Sequence, residues 1–214
     1  MKSKTSPALK FCGISNVQDA QIANEIKPEY VGFVLWESSK RAVSKQEAHA
    51  LRRVLDDDIT CVGVFVDEEV DRIVSCVNEG IIQVVQLHGN ETESTLSCLR
   101  DKCPGLEIWQ AFVVRNTHDI TRANASSADM VLVDGGKGEG EVFDWDLLKG
   151  LTRPFVLAGG LTCENVCEAI RIAHPSVVDV SSGIECKSRA PDGRTLKDHY
   201  KMLAFARCVR GEAQ

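Results

Sequence analysis

The sequence predicts an α/β protein, a single (β/α)8 TIM barrel of eight parallel strands ringed by outer helices, on three observations. Short runs rich in Val, Ile, Leu and Phe recur evenly along the chain. Most of these runs are apolar throughout, as suits parallel strands covered on both faces. Each is followed by a polar helix-start signal and a segment of helical period, and no Pro-, Gly- or Ser-rich linker divides the 214 residues. Closing the sheet removes the edges that an open one would have to protect, although a doubly wound open sheet is the competing architecture.

The strands are expected at 9–12, 30–35, 60–66, 82–87, Glu107–Val113, Met130–Asp134, 154–158 and 177–181. Asn16 with Asp19, Ser44 with Glu47 and Asn90 with Glu93 have the spacing of a capping box, in which a short polar side chain accepts from an orphan backbone N–H. These mark the first, second and fourth helices. After Asp67, residues Val70, Ile73, Val74 and Val77 share one helical face, and Gly80 supplies a left-handed stop. A last helix at about 196–209 completes the ring, with Arg207 and Arg210 at the negative end of its dipole. The domain is read as 1–214, with 1–7 a short N-terminal extension.

Composition narrows the function classes. Apolar residues make up 43% and charged residues 26%, enough to bury a sizeable core. The net charge is −6 and the Lys and Arg residues are scattered, so no nucleic-acid partner is expected. No apolar run is long enough to span a membrane, and the opening MKSKTSPALKF lacks a secretory pattern, so no membrane partner and a cytoplasmic location are expected. The nine cysteines form no C-x-x-C pair, which argues against a metal site and for reduced thiols.

In such a barrel the chemistry sits at the C-terminal ends of the strands. Gly159 and Gly160 follow the seventh strand, with Thr162 at the cap of the next helix, and the eighth strand ends in VDVSSGIE. Glycines let backbone N–H groups approach an anion, so these two loops read as a phosphate site, and a tight turn alone is the plainer reading of one GG. Cys12 ends the first strand ahead of the Asn16 cap, where a helix N-terminus can lower a thiol pKa toward neutral. It is either a thiolate base or nucleophile, or inert packing. Asp134 ends the sixth strand before a glycine-rich loop; it is either a general acid, if burial raises its pKa, or the start of a turn with Gly135. One base and one acid at different strand ends suit proton transfers at two positions of one substrate, which describes an isomerisation. Arg41 offers a planar fork for a carboxylate, or else is a solvated charge. Gln86 and His88, ending the fourth strand, read as contact residues, and Asp179 joins them from the eighth.

The segments KFCGISN, GFVLWESSKR, VGVFVDEE, VVQLHGNE, VLVDGG with VFDW, LAGGLTCENV and VDVSSGIE occur in that order. Together they resemble the phosphoribosylanthranilate isomerase family over about residues 8 to 205. The resemblance implies an Amadori rearrangement in tryptophan biosynthesis, N-(5′-phosphoribosyl)anthranilate becoming 1-(2-carboxyphenylamino)-1-deoxyribulose 5-phosphate, with no cofactor and no metal. It implies that Asp134 protonates the furanose oxygen, that Cys12 removes the C2 proton and that Arg41 holds the anthranilate carboxylate. It also places phosphate on Gly159, Gly160, Ser181, Ser182 and Gly183, and sets Asp179 and His88 beside the sugar and ring. The only partner implied is this phosphosugar-anthranilate, with the chain a monomer or homodimer. Departures are a shorter stretch between Asp134 and Phe143, Lys137 and Glu139 where the family has Gly and Thr or Ser, and Trp36-Glu37 in place of an aromatic-Pro pair. A shorter lid is expected to leave Asp134 wetter and turnover slower.

Two classes of alternative compete, a different phosphosugar enzyme on the same barrel and a barrel that binds without converting. An aldolase would want a buried strand-end lysine, and none is evident, since Lys10 lies before the strand end and Lys40 is in a loop; a metal-dependent epimerase would want several His and carboxylate ligands, of which only His88 qualifies; and the histidine-pathway isomerase would use an Asp in place of Cys12. A barrel that only binds phosphosugars would need no acid and base pair.

Overall fold

The structure is a computed structural model and describes residues 6–135 and 144–212. Eight parallel strands, β1 (Ala8–Cys12), β2 (Tyr30–Val34), β3 (Thr60–Phe65), β4 (Val84–Leu87), β5 (Glu107–Val113), β6 (Met130–Asp134), β7 (Phe155–Ala158) and β8 (Val177–Val180), close into a barrel in sequence order. The seam pairs Lys10 with Asp179, while on the other side of β1 Cys12 pairs with Gly32.

Period-two alternation splits the strand residues between two cores. Leu9, Phe11, Val31, Phe33, Val85, Leu87, Val131 and Val133 point outward and pack with the helices. Val62, Val84, Trp109, Leu132, Val156 and Val177 point inward and fill the barrel. Both faces of most strands are therefore largely apolar, which is why the runs do not alternate in sequence, and the polar exceptions Lys10, Gln86 and Asp179 lie on the inward face. Tyr30 meets Trp109 edge-on at 5.0 Å within the barrel, and the indole N–H donates to Glu107 at 2.6 Å. Leu132 is wholly buried in this inner layer. Leu132→Ala is expected to lower unfolding free energy by about 2–5 kcal/mol, measured by urea denaturation, because the closed barrel limits collapse into the cavity left behind.

The helices are α1 (Val17–Ile26), α2 (Lys45–Arg52), α3 (Val70–Asn78), α4 (Glu93–Lys102), α5 (Thr117–Ala125), α6 (Val166–Ala173) and α7 (His199–Arg210). Ser44 and Glu47 form the reciprocal capping box that the spacing predicts, whereas at α1 only half of one forms: Asn16 accepts from the Asp19 N–H, and the Asp19 carboxylate accepts from the Ser15 and Lys197 N–H groups. The Asn90 expectation fails: α4 starts after Thr92, and Asn90 instead donates from its backbone and side chain to the Asp67 carboxylate, tying two βα loops together. Gly80 adopts the left-handed conformation expected of it, at φ +68. The sixth unit carries a 3-10 turn over Trp145–Gly150 in place of an α-helix.

The last helix begins later than expected, because Leu196 belongs to an antiparallel hairpin, β9 (Glu185–Arg189) with β10 (Thr195–Lys197). Its turn holds Asp192 and Gly193, the latter at φ +85, a hairpin signal that the sequence does carry. Arg210 reaches beyond its own helix and donates to the Ile26 and Lys27 carbonyls at the end of α1. Among the described residues no helix is long and apolar enough to cross a membrane.

Candidate active site

At the C-terminal mouth of the barrel lies a cavity of about 460 Å³. Cys12, Arg41, Gln86, His88, Asp134, Gly159, Gly160, Asp179, Ser181 and Ser182 all line it. The barrel thus gathers residues up to 170 positions apart in sequence. Gly183 is the exception. It stands behind the wall in a short 3-10 turn, Ser182–Ile184, where a Cβ would strike the Leu161 carbonyl oxygen, so its glycine serves close packing of the two loops.

Cys12 and Asp134 face the cavity from β1 and β6, and the loops after β7 and β8 lie between them around the rim. Gly159 and Gly160 have φ of +87 and +65, which few other residues accept. Gly159 has a second constraint, since a Cβ there would collide with Asp134 Oδ1 and the Gly135 nitrogen. Thr162 does not cap α6 directly. The helix starts at Val166, and Thr162 opens the preceding turn, donating from its backbone to Asn165 Oδ1 at 2.8 Å.

The Cys12 thiol lies against Val34 and Val64 and is only 8% exposed. Burial pushes its pKa up; Lys10 is the strongest opposing influence, Asp179 adds to the rise, and Lys197 pulls it down again. The net result is a thiol above its ordinary value. The expected lowering by a helix N-terminus does not occur, because residues Gly13, Ile14 and Ser15 separate Cys12 from the Asn16 cap and desolvation dominates.

Asp134 is about a quarter exposed, with Oδ2 at 3.8 Å from His88 Nε2. Lys137, Glu139 and Phe143, on which the expectation of a shortened lid rests, fall outside the described residues. Gln86 hydrogen-bonds His88 Nδ1 through its amide nitrogen at 3.0 Å. Among the described residues, Gln86 Oε1 and Asp179 Oδ1 are buried without a hydrogen-bond partner. Each is an acceptor whose residue lines the cavity.

Three charged residues of this neighbourhood escape sequence reasoning. Lys10 is fully buried and donates to Asp179 Oδ2 at 2.9 Å, and its charge also acts on Cys12. Glu185 accepts from Arg41 Nε at 2.5 Å and from Lys197 at 3.4 Å. Lys197, buried on β10, also donates to the Ser181 carbonyl at 3.0 Å, while Ser181 Oγ donates to the Cys12 carbonyl at 3.1 Å. Burial and the nearby Arg41 hold the Lys197 pKa below its ordinary value, against the pull of Glu185 and Cys12. Period two offered a signal for Lys10, since it shares the inward face of β1 with Cys12. No comparable signal marks Lys197 or Glu185, which reach the rim through the hairpin.

The family model of N-(5′phosphoribosyl)anthranilate (PRA) isomerase matches residues 9–201. An N-(5′-phosphoribosyl)anthranilate isomerase of Endomicrobium trichonymphae is 39% identical over 209 residues, covering 95% of this chain and 98% of the relative. A crystal structure of phosphoribosyl anthranilate isomerase in complex with reduced 1-(o-carboxyphenylamino)-1-deoxyribulose 5-phosphate superposes with a TM-score of 0.81 at 33% identity, covering 96% of this chain and 99% of that one. A structure of monomers of the dimeric phosphoribosylanthranilate isomerase of Thermotoga maritima matches with a TM-score of 0.80 at 34% identity, over 96% and 99% of the two chains.

Proposed function

Because this chain belongs to the N-(5′-phosphoribosyl)anthranilate isomerase family, we propose that Cys12 and Asp134 are the base and the acid of its aldose-ketose isomerisation in tryptophan biosynthesis. The observation that carries the assignment is their placement: a thiol and a carboxyl face one cavity from either side of the two glycine-bearing loops. A phosphosugar anchored between them presents its ring oxygen to one group and its C2 to the other.

In this reading the phosphate docks at Gly159, Gly160, Ser181 and Ser182, with Gly183 supporting the wall. Backbone N–H groups do the binding there, which is why left-handed glycines stand in the seventh loop. Asp134 protonates the furanose oxygen and the ring opens to a Schiff base. The Cys12 thiolate then takes the proton from C2, and the electron pair moves toward nitrogen to give an enolamine. Tautomerisation, with loss of the enol proton and protonation at C1, completes the ketose. No redox equivalent and no second reactant enters the balance. Asp179 Oδ1 and Gln86 Oε1 supply the acceptors that ribose hydroxyls or the anilino N–H would meet.

Arg41 binds the anthranilate carboxylate. Glu185 grips its Nε, which fixes the plane of the guanidinium and leaves the terminal edge for the ligand. The test is the fluorescence decay of phosphoribosylanthranilate with the wild-type protein and with Arg41→Met. Wild type should convert it, and Arg41→Met should raise KM by about ten- to a hundredfold with a smaller change in kcat, the value of a charge-assisted hydrogen bond made in ground and transition states alike. An unchanged KM would remove Arg41 from the site, and no conversion by folded wild type would remove the reaction.

A further inference from the structure

Lys10 has no part in the chemistry described so far, yet it is wholly buried in the barrel directly beneath the cavity. An ammonium taken out of water is costly unless it is paired, and a buried lysine–carboxylate pair seldom stabilises a fold more than apolar residues of the same size would. Its position is therefore better explained by what it touches. Nζ lies 2.9 Å from Asp179 Oδ2 and its charge acts on the Cys12 thiol, so one cation serves two residues that line the cavity.

The neighbouring strand leaves room for that meeting. At Gly32, the register partner of Cys12, a Cβ would lie 2.9 Å from the Cys12 sulfur and 3.2 Å from Lys10 Nζ. Glycine at this point keeps clear the space where thiol and ammonium meet. The remaining surroundings of the thiol are Val34 and Val64 on β2 and β3, Asp179 on β8, and Lys197, which acts from β10 without a hydrogen bond to it.

We propose that Lys10 is a positioning residue for the isomerisation: its buried ammonium, anchored on Asp179, is the counter-charge that holds the Cys12 thiolate at the barrel mouth. The inference rests on the reading of Cys12 as the base. When the thiolate forms in this setting, Lys10 offers it an opposite charge that is already in place. When Cys12 takes the C2 proton and becomes neutral, the Asp179 carboxylate retains the cation. With the thiolate formed, Asp179 and Cys12 together hold the Lys10 pKa above its ordinary value against the effect of burial.

The experiment is the pH dependence of Cys12 alkylation by iodoacetamide, read by mass spectrometry of its peptide, in the whole wild-type protein, Lys10→Met and Asp179→Asn. Lys10→Met should slow Cys12 alkylation about tenfold or more at neutral pH and move its midpoint upward, since an opposite charge is lost. Asp179→Asn should do the reverse, because a like charge is removed. Cys98, remote from the site, reports whether the fold is intact by alkylating at the same rate in all three. Equal Cys12 rates in all three proteins would overturn the proposal. Should Lys10→Met fail to fold, Lys10→Gln decides in its place, and an unchanged or faster Cys12 reaction overturns the proposal. The ascending limb of kcat/KM against pH must move with the alkylation midpoint in Lys10→Met. A midpoint that moves while the limb stays would show that Cys12 is not the base, and with it the catalytic role of Lys10 would fall while the ammonium–thiolate contact stood.

Discussion

Cys12→Ser is expected to lower kcat by about a hundred- to ten-thousandfold, the usual contribution of a positioned general base, while binding of the phosphosugar product changes little. The substitution removes one property and keeps the rest. Serine fits the space between Val34 and Val64 and keeps a polar group near Lys10. An alcohol, however, ionises so far above a thiol that no useful alkoxide forms. Wild type carries its own signature: burial holds the Cys12 pKa above the ordinary thiol value despite Lys10 and Lys197, so the thiolate is the minor form at neutral pH. A base that is scarce but strong gives a kcat/KM that climbs with pH from neutral into the alkaline range, whereas a base already ionised would give a plateau there. Steady-state kinetics across that range, with titration of the product by intrinsic fluorescence, checks both statements. A serine variant that turns over like wild type would return Cys12 to the role of a packing residue.

Much of this architecture was legible because its determinants are local. A strand covered on both faces is mostly apolar, so the runs that became β5 and β6 stood out with their bounds, and Asn16–Asp19 and Ser44–Glu47 are contacts three residues apart. Failures occurred where a nonlocal partner outbid the local one. Asn90 has the spacing of a cap, but the Asp67 carboxylate on the neighbouring loop takes its donors. The hairpin after β8 was hidden because Leu196 also fits the period of α7, and only the Asp192-Gly193 turn distinguishes the two readings.

The site divides in the same way. Residues at strand ends converge by the geometry of the barrel, so Cys12, Asp134, Gln86, His88 and Asp179 could be collected without knowing a single contact. Their partners could not. Lys10 meets Asp179 across 169 positions and Arg41 meets Glu185 across 144, and which charges neutralise which is decided by the seam of the barrel and by the hairpin folded against it. Arg41 shows the consequence for function. Read alone, it is a cation awaiting a carboxylate, whereas in the folded chain it already has one, and the anthranilate group must share it with Glu185.

Asp134→Asn is expected to reduce kcat by about a hundred- to ten-thousandfold as well, and it separates the two meanings that a carboxylate before a glycine can have. Asparagine starts turns as readily as aspartate, keeps the side-chain volume beside Gly159 and still offers an oxygen toward His88. If Asp134 only shapes the turn, the variant is close to wild type. If it delivers the proton that opens the furanose ring, the variant binds and stalls. The double variant Cys12→Ser with Asp134→Asn tests whether the two act in sequence. An acid that speeds ring opening also speeds its reversal, so once opening and proton abstraction are both slowed, their ratio is restored and the overall rate is set by a single slow process. The double variant should then lose about as much as the slower single variant, far less than the product of the two losses. Losses that multiply would place both groups in one transition state, acting on ring oxygen and C2 together, and would rule out a free Schiff base between them.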